Sequence, residues 1–476
     1  MTHSRRDFLA RTTCAALGAA AFQGTVRQFG LANLFATQAS ISGNYRALVC
    51  VFLNGGNDAN NMVIPNDAAY ASYSAARNSA GLAIAQGSLL ALNNPPSMGG
   101  AAFGLHPNMP ELQSLFNGGK MAIACNVGTL IHPMTQAQYI NNSVPKPFAL
   151  FSHSDQIQAG QSGRADIKFG TGWGGRTSDA TLTCNAGSGF PTITSIAGSS
   201  IFCIGLQQRP LSIGTGALNT VLVLNGFNST PESVARKNSM DYLRTVDLTA
   251  TMIAGASSTT QQALDISADF STDPTLTTVF PSTGIGNQLK QVAKVIKLNQ
   301  STLGLERQIF FVSQGGYDTH QNQLTGQGNN FTDLSQALSA FYSATIELGL
   351  QNNITTFTLS DFGRTLQPSG SGADVGSDHG WGNHQFVIGD SVLGGDFFGT
   401  VGPNGTLFPT LQTGGPDDTS TNGRGRWIPT SSVDQYGATL AKWFGVADID
   451  VSTVFPLIGN FTTADLGFMG SPPAGC

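Results

Sequence analysis

Short apolar runs alternate along the chain with segments of helical periodicity. The clearest run, Arg46–Leu53, is almost continuously apolar and leads into a polar loop that contains glycine and aspartate, as a buried parallel strand does. Further runs of this kind lie at 121–126, 308–313 and 354–360. Alternation of strand-length runs with helical segments predicts an α/β fold, in which the loops after the strands share one edge of the sheet.

Helical periodicity is clearest in two segments between these runs. Apolar residues recur at i, i+3, i+4 and i+7 over 289–296, and a second helical pattern extends over 334–348. Thr332 or Asp333 is the predicted start of the second helix. A third helix is predicted to begin near Ser432 and to pack its apolar residues against the sheet.

The region 171–228 has a different pattern, because it is rich in Gly, Ser and Thr and has only short apolar runs. It predicts an inserted antiparallel hairpin or β cap, followed by a helical stretch over 231–264. We therefore expect a single domain over 40–476, with an insertion at 171–265.

The first residues resemble a twin-arginine export signal. Arg5 and Arg6 precede a short, weakly apolar stretch at 12–22 and then a polar segment. The signal and its linker are assigned to 1–39; the alternative is an amphipathic N-terminal helix. The signal predicts export of the folded protein by the twin-arginine translocase to the periplasm or beyond the cell. The sequence after this segment has no run of about 18 consecutive apolar residues, so no stable membrane span is predicted.

Charged residues are sparse. They make up 11% of the 476 residues, with a net charge of −5 and 58 glycines, whereas about 25% charged residues is usual. With 40% hydrophobic residues the chain is not a disordered protein. No basic run follows the N-terminus, which argues against a nucleic-acid partner.

The cysteines show no zinc-type spacing. Cys50 and Cys125 lie in apolar strand-like runs, which favours buried thiols. A Cys184–Cys203 bridge is an open alternative in an oxidising compartment.

Asp and His concentrate in segments that follow the predicted strands. Carboxylates and imidazoles gathered at strand ends are the ligands that divalent Zn, Mn or Ca ions take. For any one of these residues, capping a helix or bonding loop backbone is the ordinary alternative. The residues concerned are Asp58, Asp318, His320, Asp361, Asp378, His379 and His384.

Five segments together resemble the successive signatures of the exported bacterial domain-of-unknown-function family 1501. A sixth segment, 426–436, also looks like that family, and the likeness covers essentially the whole chain after the signal. The five segments are Leu53-Asn54-Gly55-Gly56-Asn57-Asp58, Phe151-Ser152-His153-Ser154-Asp155-Gln156, Gly316-Tyr317-Asp318-Thr319-His320, Ser360-Asp361-Phe362-Gly363-Arg364-Thr365 and Ser377-Asp378-His379-Gly380-Trp381-Gly382-Asn383-His384.

The family is grouped with the alkaline phosphatase and sulfatase superfamily. The resemblance therefore implies a doubly wound, mostly parallel α/β sheet with helices on both faces, and a hydrolytic site with one or two metals. Asp58 would match the first-strand metal aspartate, and Asp318 with His320 the later Asp/His pair. The remaining ligands would come from the segment that holds Asp378, His379 and His384, with Asp361 as a further candidate.

The same resemblance requires a nucleophile and an anion clamp. Ser152 is the first candidate nucleophile, because its segment reads as a loop that opens a helix, where backbone amides favour an oxyanion. Ser154 is the second candidate, and His153 is a ligand or a base. Arg364 would hold a tetrahedral anion by its fork, or make a structural salt bridge instead.

The sequence departs from the superfamily pattern. Asp361 is followed by Phe362, where the superfamily has Asp-His, and Asp378-His379 lies beyond a long loop. Asp318 and His320 are only two residues apart, which fits an extended segment better than a helical turn. No Cys-x-Pro-x-Arg motif occurs, which disfavours formylglycine chemistry.

From the export signal, the Asp and His residues and the family resemblance together, we expect an exported metal-dependent hydrolase that acts on a small-molecule or polymer ester of phosphate or sulfate. The alternative is a non-catalytic exported binding or assembly protein with a degenerate metal site.

Overall fold

A nine-stranded mixed sheet forms the centre of the computed structural model, which describes residues 44–221, 227–372 and 374–471. The strand order is β13-β5-β12-β9-β1-β8-β6-β7, and β14 also pairs with β5. The strands are β1 Arg46–Leu53, β2 Val63–Pro65, β3 Leu90–Ala91, β4 Phe103–Leu105, β5 Met121–Gly128, β6 Ile193–Ser195, β7 Leu211–Ser212, β8 Arg307–Gln314, β9 Ile354–Ser360, β10 Arg364–Pro368, β11 Ser377–His379, β12 Asn383–Ile388, β13 Phe397–Phe398 and β14 Ser431–Ser432.

The sheet is mostly parallel, as predicted. β1 pairs in parallel with β8 and β9, so three of the four predicted strands lie side by side with their carboxyl ends at one edge. β12 is antiparallel to both β5 and β9. The start of β12 therefore lies at the edge where β5 and β9 end. The predicted α/β fold is confirmed.

Helices cover both faces of the sheet. In β1, the residues 47, 49, 51 and 53 point into one hydrophobic cluster with α9 and α10, and residues 48, 50 and 52 point into a second with α11. This alternation is what buries a strand on both faces. The helices are α1 Ala59–Met62, α2 Tyr70–Arg77, α3 Pro110–Asn117, α4 Gln136–Asn141, α5 His153–Ser162, α6 Trp173–Ala180, α7 Pro231–Leu243, α8 Thr251–Asp269, α9 Gly284–Leu298, α10 Gln323–Glu347, α11 Val433–Phe444 and α12 Val451–Val454.

The predicted helices at 289–296 and near Ser432 are present as α9 and α11. Ser432 caps α11 in a reciprocal capping box with Gln435. The predicted start of α10 at Thr332 or Asp333 is wrong, because the helix begins at Gln323. Its first turns carry polar side chains that are buried against the loops at the sheet edge, so their burial does not show in the hydrophobic pattern.

The region 171–228 does not form the expected antiparallel hairpin in its described part. β6 pairs in parallel with both β7 and β8, and so extends the central sheet. The helical stretch expected at 231–264 is present as α7 and α8. Part of the predicted hairpin, 222–226, lies outside the described residues.

The alternative of a Cys184–Cys203 bridge is excluded. Cys184 is disulfide-bonded, but Cys203 is a free buried thiol, as are Cys50 and Cys125. The predicted export signal at 1–39 lies outside the described residues. None of the helices within the described ranges combines the length and the apolar character needed to cross a membrane.

Candidate metal centre

The loops that follow β1, β8 and β9 meet at the carboxyl edge of the sheet. The backbone N–H of Gly55, after β1, donates to Asp361 Oδ1, after β9, at 3.0 Å. Gly55 has φ +116°, and a Cβ added there would lie 2.4 Å from the backbone nitrogen of Asp318, after β8. Glycine is therefore required at this position for the three loops to approach one another.

Two imidazoles and a carboxylate converge at this edge. His153 is the first residue of α5, Asp318 lies in the loop after β8, and His379 ends β11. One ligand atom from each lies within 4.8 Å of the others. The Nε2 atoms of His153 and His379 are 3.1 Å apart, and they lie 3.4 Å and 3.5 Å from Asp318 Oδ1.

A third imidazole, that of His320, lies beside this group. Its Nε2 lies 3.1 Å from Asp318 Oδ1 and 3.0 Å from the Nε2 of His379. A tetrahedral metal ion with bonds of about 2.0–2.1 Å has ligand atoms about 3.3–3.4 Å apart. The distances of 3.1–3.5 Å within the group of His153, Asp318 and His379 lie close to that spacing, so these three residues fit one tetrahedral ion, and His320 borders them as a further candidate ligand.

The other ring nitrogen of each imidazole faces an oxygen. His153 Nδ1 lies 2.8 Å from Asp361 Oδ2, and His379 Nδ1 lies 2.6 Å from the carbonyl oxygen of Phe151. His320 Nδ1 is 3.5 Å from a carboxylate oxygen of Asp378. Acceptors at Nδ1 favour the tautomer in which Nδ1 carries the proton.

This tautomer leaves the Nε2 lone pairs facing one another. Two neutral nitrogens 3.0–3.1 Å apart cannot bond each other when neither carries a hydrogen. A cation placed between them removes the repulsion, and oxygen partners at Nδ1 are the usual support of metal-binding histidines. The donor set therefore fits a divalent metal.

The charges around the group keep Asp318 ionised. Partial burial acts to raise its pKa, but the hydrogen bond from Arg364 and the nearby imidazoles outweigh this and lower the pKa. The hydrogen bond with Asp361 raises the pKa of His153, whereas burial lowers the pKa of His379. The side chain of Asp318 is 48% exposed, so the group is open to solvent on one side.

Arg364, the predicted anion clamp, is enclosed by protein. Its Nη1 lies 3.0 Å from Asp318 Oδ1 and also donates to the Gly55 carbonyl, and its Nη2 donates to the Ser377 carbonyl. The residue is 1% exposed. Arg364 therefore holds the candidate ligand Asp318 in place, and in this arrangement it offers no free face to a substrate.

Asp58, the predicted first-strand ligand, is not brought into the group. It is fully buried, and both carboxylate oxygens bond the guanidinium of Arg77, at 2.5 Å and 2.9 Å. Gln323 Nε2 also donates to Asp58 Oδ2, at 2.6 Å. These partners occupy the carboxylate, which explains its separation from the metal group.

Three further predicted ligands lie at different distances from the group. Asp361 touches His153 and acts from behind that imidazole. Asp378 forms a salt bridge with Arg424 and lies near His320. His384 is apart from the group: it stacks on Phe408, its Nδ1 accepts the backbone N–H of Asn126 at 3.1 Å, and burial lowers its pKa to about 3.

Ser152 precedes His153 directly, at the N-cap of α5. Its hydroxyl donates to Asp155 Oδ2 at 2.7 Å. Ser154, the second candidate nucleophile, is exposed on the same first turn, 3.4 Å from Ser152 Oγ.

Ser154, which follows His153 in the sequence, also lines a cavity of about 330 Å³. None of the side chains that line this cavity carries a charge; among them are Phe52, Asn54, Ser199 and Ser313. The cavity therefore provides an uncharged, partly aromatic surface that reaches the first turn of α5.

Sequence reasoning missed three contributors to the site. Phe151 has φ +72°, which is unusual for a non-glycine residue. Its carbonyl oxygen accepts a hydrogen bond from His379 Nδ1. Arg424 pairs with Asp378, and Arg426 donates to the carbonyl of His379 at 2.8 Å. Arg426 opens the C-terminal segment 426–436, and an arginine in so weakly charged a chain was the available signal.

The fold has distant structural neighbours. The C-terminal periplasmic domain of EcEptC from Escherichia coli, in complex with Zn, aligns at 11% identity and a TM-score of 0.30, covering 73% of this chain and 74% of that one. PsFucS1 sulfatase from Pseudoalteromonas sp. aligns at 8% identity and a TM-score of 0.28, covering 74% of this chain and 64% of that one. An alkaline phosphatase superfamily protein from Vibrio parahaemolyticus aligns at 10% identity and a TM-score of 0.27, covering 80% of this chain and 69% of that one. At this similarity these neighbours identify no activity for the chain.

No protein among the curated sequences matches the chain. The model of a protein family of unknown function, DUF1501, matches residues 45–407, which include every residue of the metal group. The chain belongs to the DUF1501 family.

Proposed function

We propose that the chain is a metal-dependent hydrolase of phosphate or sulfate esters. The observation that carries the proposal is the convergence of three Nε2 atoms on Asp318 Oδ1 at 3.1–3.5 Å, with an oxygen behind each Nδ1. Three imidazoles and one carboxylate favour Zn²⁺ or Mn²⁺ over Ca²⁺, which prefers six to eight oxygens.

His153, Asp318, His320 and His379 would hold the metal. When bound, such an ion supplies Lewis-acid polarisation of an ester oxygen and compensates its developing negative charge. Asp361 and the carbonyl of Phe151 orient two of the imidazoles. The half-exposed face of Asp318 leaves one side of the group accessible to a substrate.

Ser152 is the proposed nucleophile. It lies at the N-terminus of the ten-residue helix α5, where backbone N–H groups and the helix dipole stabilise an oxyanion. Its hydroxyl is oriented by the hydrogen bond to Asp155. The Lys168 ammonium lies 2.8 Å from Asp155 and helps to lower its pKa, so Asp155 acts as an acceptor that positions the hydroxyl rather than as a strong base.

The uncharged cavity beside Ser154 is suited to the alcohol part of the ester. Hydroxyl and amide side chains and the ring of Phe52 line it, and such groups bind a neutral, hydroxyl-bearing or aromatic moiety. Filling the cavity with Ser199→Trp is expected to raise KM for a large ester more than for a small one.

A second function, non-catalytic binding, is favoured by Asp58. Because Arg77 occupies that carboxylate, the first-strand ligand implied by the family resemblance is not available, and the site offers one metal group. A bound metal without turnover of any ester would favour this second function.

The test couples elemental analysis with an ester screen. The metal-replete wild type is expected to hold about one Zn or Mn per chain and to hydrolyse a phosphomonoester, a diester or a sulfate ester. Asp318→Ala should lose both properties, whereas Asp434→Asn, a buried aspartate change on α11, should keep the metal. A wild-type chain without metal after metal-replete expression would overturn the proposal.

We also propose that the protein is exported through the twin-arginine translocase. The proposal rests on the pair Arg5 and Arg6 and the apolar stretch that follows. Replacing both with lysine is expected to retain the full-length chain in the cytoplasm, in a fractionation experiment with the wild type as control. Unchanged export of the double variant would contradict this.

A further inference from the structure

We propose that Arg426 is the anion-binding residue of the metal centre, and that Lys146 adds a second positive charge to the same surface. This inference rests on the proposed function, since it names the part of the site that recognises the negatively charged group of the ester. It starts from the burial of Arg364, which leaves the recognition of an anion without a residue.

Arg426 is held beside the metal group without using its fork. Its Nε donates to the carbonyl oxygen of His379 at 2.8 Å, and its guanidinium lies 4.6 Å from the ring centre of Phe151. Both contacts involve residues that build the metal group, because His379 is a candidate ligand and the Phe151 carbonyl orients it.

The two terminal nitrogens of Arg426 are uncommitted. Among the described residues, neither Nη1 nor Nη2 has a hydrogen-bond partner, and no carboxylate lies within 4.0 Å of the guanidinium. Arg424, two residues earlier, forms a salt bridge with Asp378 instead. A planar pair of N–H donors is the group that matches two oxygens of a phosphate or sulfate.

The backbone fixes where Arg426 lies. The Asp418 carboxylate accepts the backbone N–H groups of Gly414, Gly425 and Arg426 at 2.7–3.1 Å. This cradle holds the loop that carries the arginine, so the guanidinium is preorganised.

Lys146 extends the positive surface. Its Nζ lies 3.9 Å from the ring centre of Tyr139. Tyr139 packs against the same small hydrophobic cluster as Phe151, whose ring lies beneath the Arg426 guanidinium. No carboxylate of the described residues lies within 4.0 Å of this ammonium. Two cations without a carboxylate partner, over two rings of one cluster, are unusual in a chain with 11% charged residues, and they point to an anionic ligand.

Inorganic phosphate is the probe for this site. Isothermal titration of phosphate into the metal-loaded full-length chain is expected to show binding that falls about tenfold or more in Arg426→Gln. Arg426→Lys keeps the charge but not the pair of terminal N–H donors, so its phosphate affinity should lie between those of the wild type and Arg426→Gln. Lys146→Gln should lower the phosphate affinity less than Arg426→Gln does. Arg209→Gln is the matched control, because Arg209 also donates to one backbone carbonyl and lies away from the metal group in the sequence.

Metal content is measured on every variant, so that the two proposals fail separately. Unchanged zinc stoichiometry together with weakened phosphate binding in Arg426→Gln supports the inference. Phosphate binding equal to wild type in both Arg426 variants, or no phosphate binding by wild type with or without metal, overturns it. Loss of the metal from wild type overturns the proposed hydrolase, whereas phosphate binding by the metal-free chain that depends on Arg426 still supports the anion site.

Discussion

Asp361 Oδ2 and His153 Nδ1 lie 2.8 Å apart, with the Asp361 side chain fully buried. The carboxylate therefore contacts a candidate metal ligand on the side away from the metal group, while its other oxygen accepts the N–H of Gly55. A carboxylate in this position fixes the imidazole tautomer and raises its strength as a donor.

Replacing Asp361 with Asn is expected to weaken metal binding by about 10–100-fold without abolishing it. The amide oxygen can still accept the N–H of Gly55, but it supplies no negative charge to His153. Competition with a zinc chelator measures the change, and Asp434→Asn on α11 is the control for loss of a buried carboxylate. Complete loss of metal would instead make Asp361 a direct ligand.

His320 and His384 should respond differently to the same change. His320→Ala removes an imidazole that is a candidate metal ligand, and it is expected to lower zinc affinity by at least about 100-fold. His384→Ala should leave the zinc stoichiometry of the folded protein unchanged, because its ring stacks on Phe408 and accepts from the Asn126 backbone.

The two histidine variants are compared by metal content per folded chain. Circular dichroism of the same samples separates loss of metal from loss of folding, since His384 is buried and its removal leaves a cavity. Metal loss in a well-folded His384→Ala would contradict the geometry.

The different outcomes for these residues show what sequence pattern can resolve. Continuous apolar runs mark strands buried on both faces, and parallel strands place their following loops at one edge, so the neighbourhood of Asp318, Asp361 and His379 was predictable. Which carboxylate is free could not be predicted, because it depends on side chains that only the folded structure brings together. Arg77 reaches Asp58 from α2, and nothing in the sequence around either residue marks the pair.

The Asp58–Arg77 pair is expected to act on stability. Arg77→Met leaves a buried carboxylate without its counter-charge, which costs about 3–5 kcal/mol in the free energy of unfolding. Arg164→Met is the control, since it removes the partly exposed pair with Asp166 and should cost about 1 kcal/mol or less. Urea unfolding at neutral pH measures both.

Zinc content of the folded fraction completes this test. Arg77→Met is expected to keep its metal, because Asp58 is not part of the group. A stable Arg77→Met that gains a second metal per chain would show that Asp58 is a ligand suppressed by Arg77.

Ser152→Ala tests the nucleophile. If the hydroxyl attacks the ester, activity should fall by at least about 100-fold while metal content is kept. Ser154→Ala is the matched control on the same helical turn and should retain most of the activity. Equal activity of Ser152→Ala and wild type would assign the attack to water.

Asp434 predicts a pH dependence of stability that is independent of the metal. Burial raises its pKa to about 7, against the hydrogen bond from Ser432 and the charge of Arg176, and Oδ1 has no hydrogen-bond partner among the described residues. The nearby Asp166 also acts to raise the pKa. In the unfolded chain the same carboxyl ionises near the ordinary pKa of about 3.9.

The sign follows from proton linkage. The folded state binds the Asp434 proton more tightly, so its contribution is fully present below about pH 4 and is lost as pH rises to about 7. Each pKa unit corresponds to about 1.4 kcal/mol, so the loss amounts to a few kcal/mol. Asp434→Asn cannot ionise and should not show this loss. Urea unfolding of both proteins from pH 4 to pH 8 should therefore give curves that diverge in favour of the variant, and parallel curves would mean that the carboxyl ionises in the folded state without this cost.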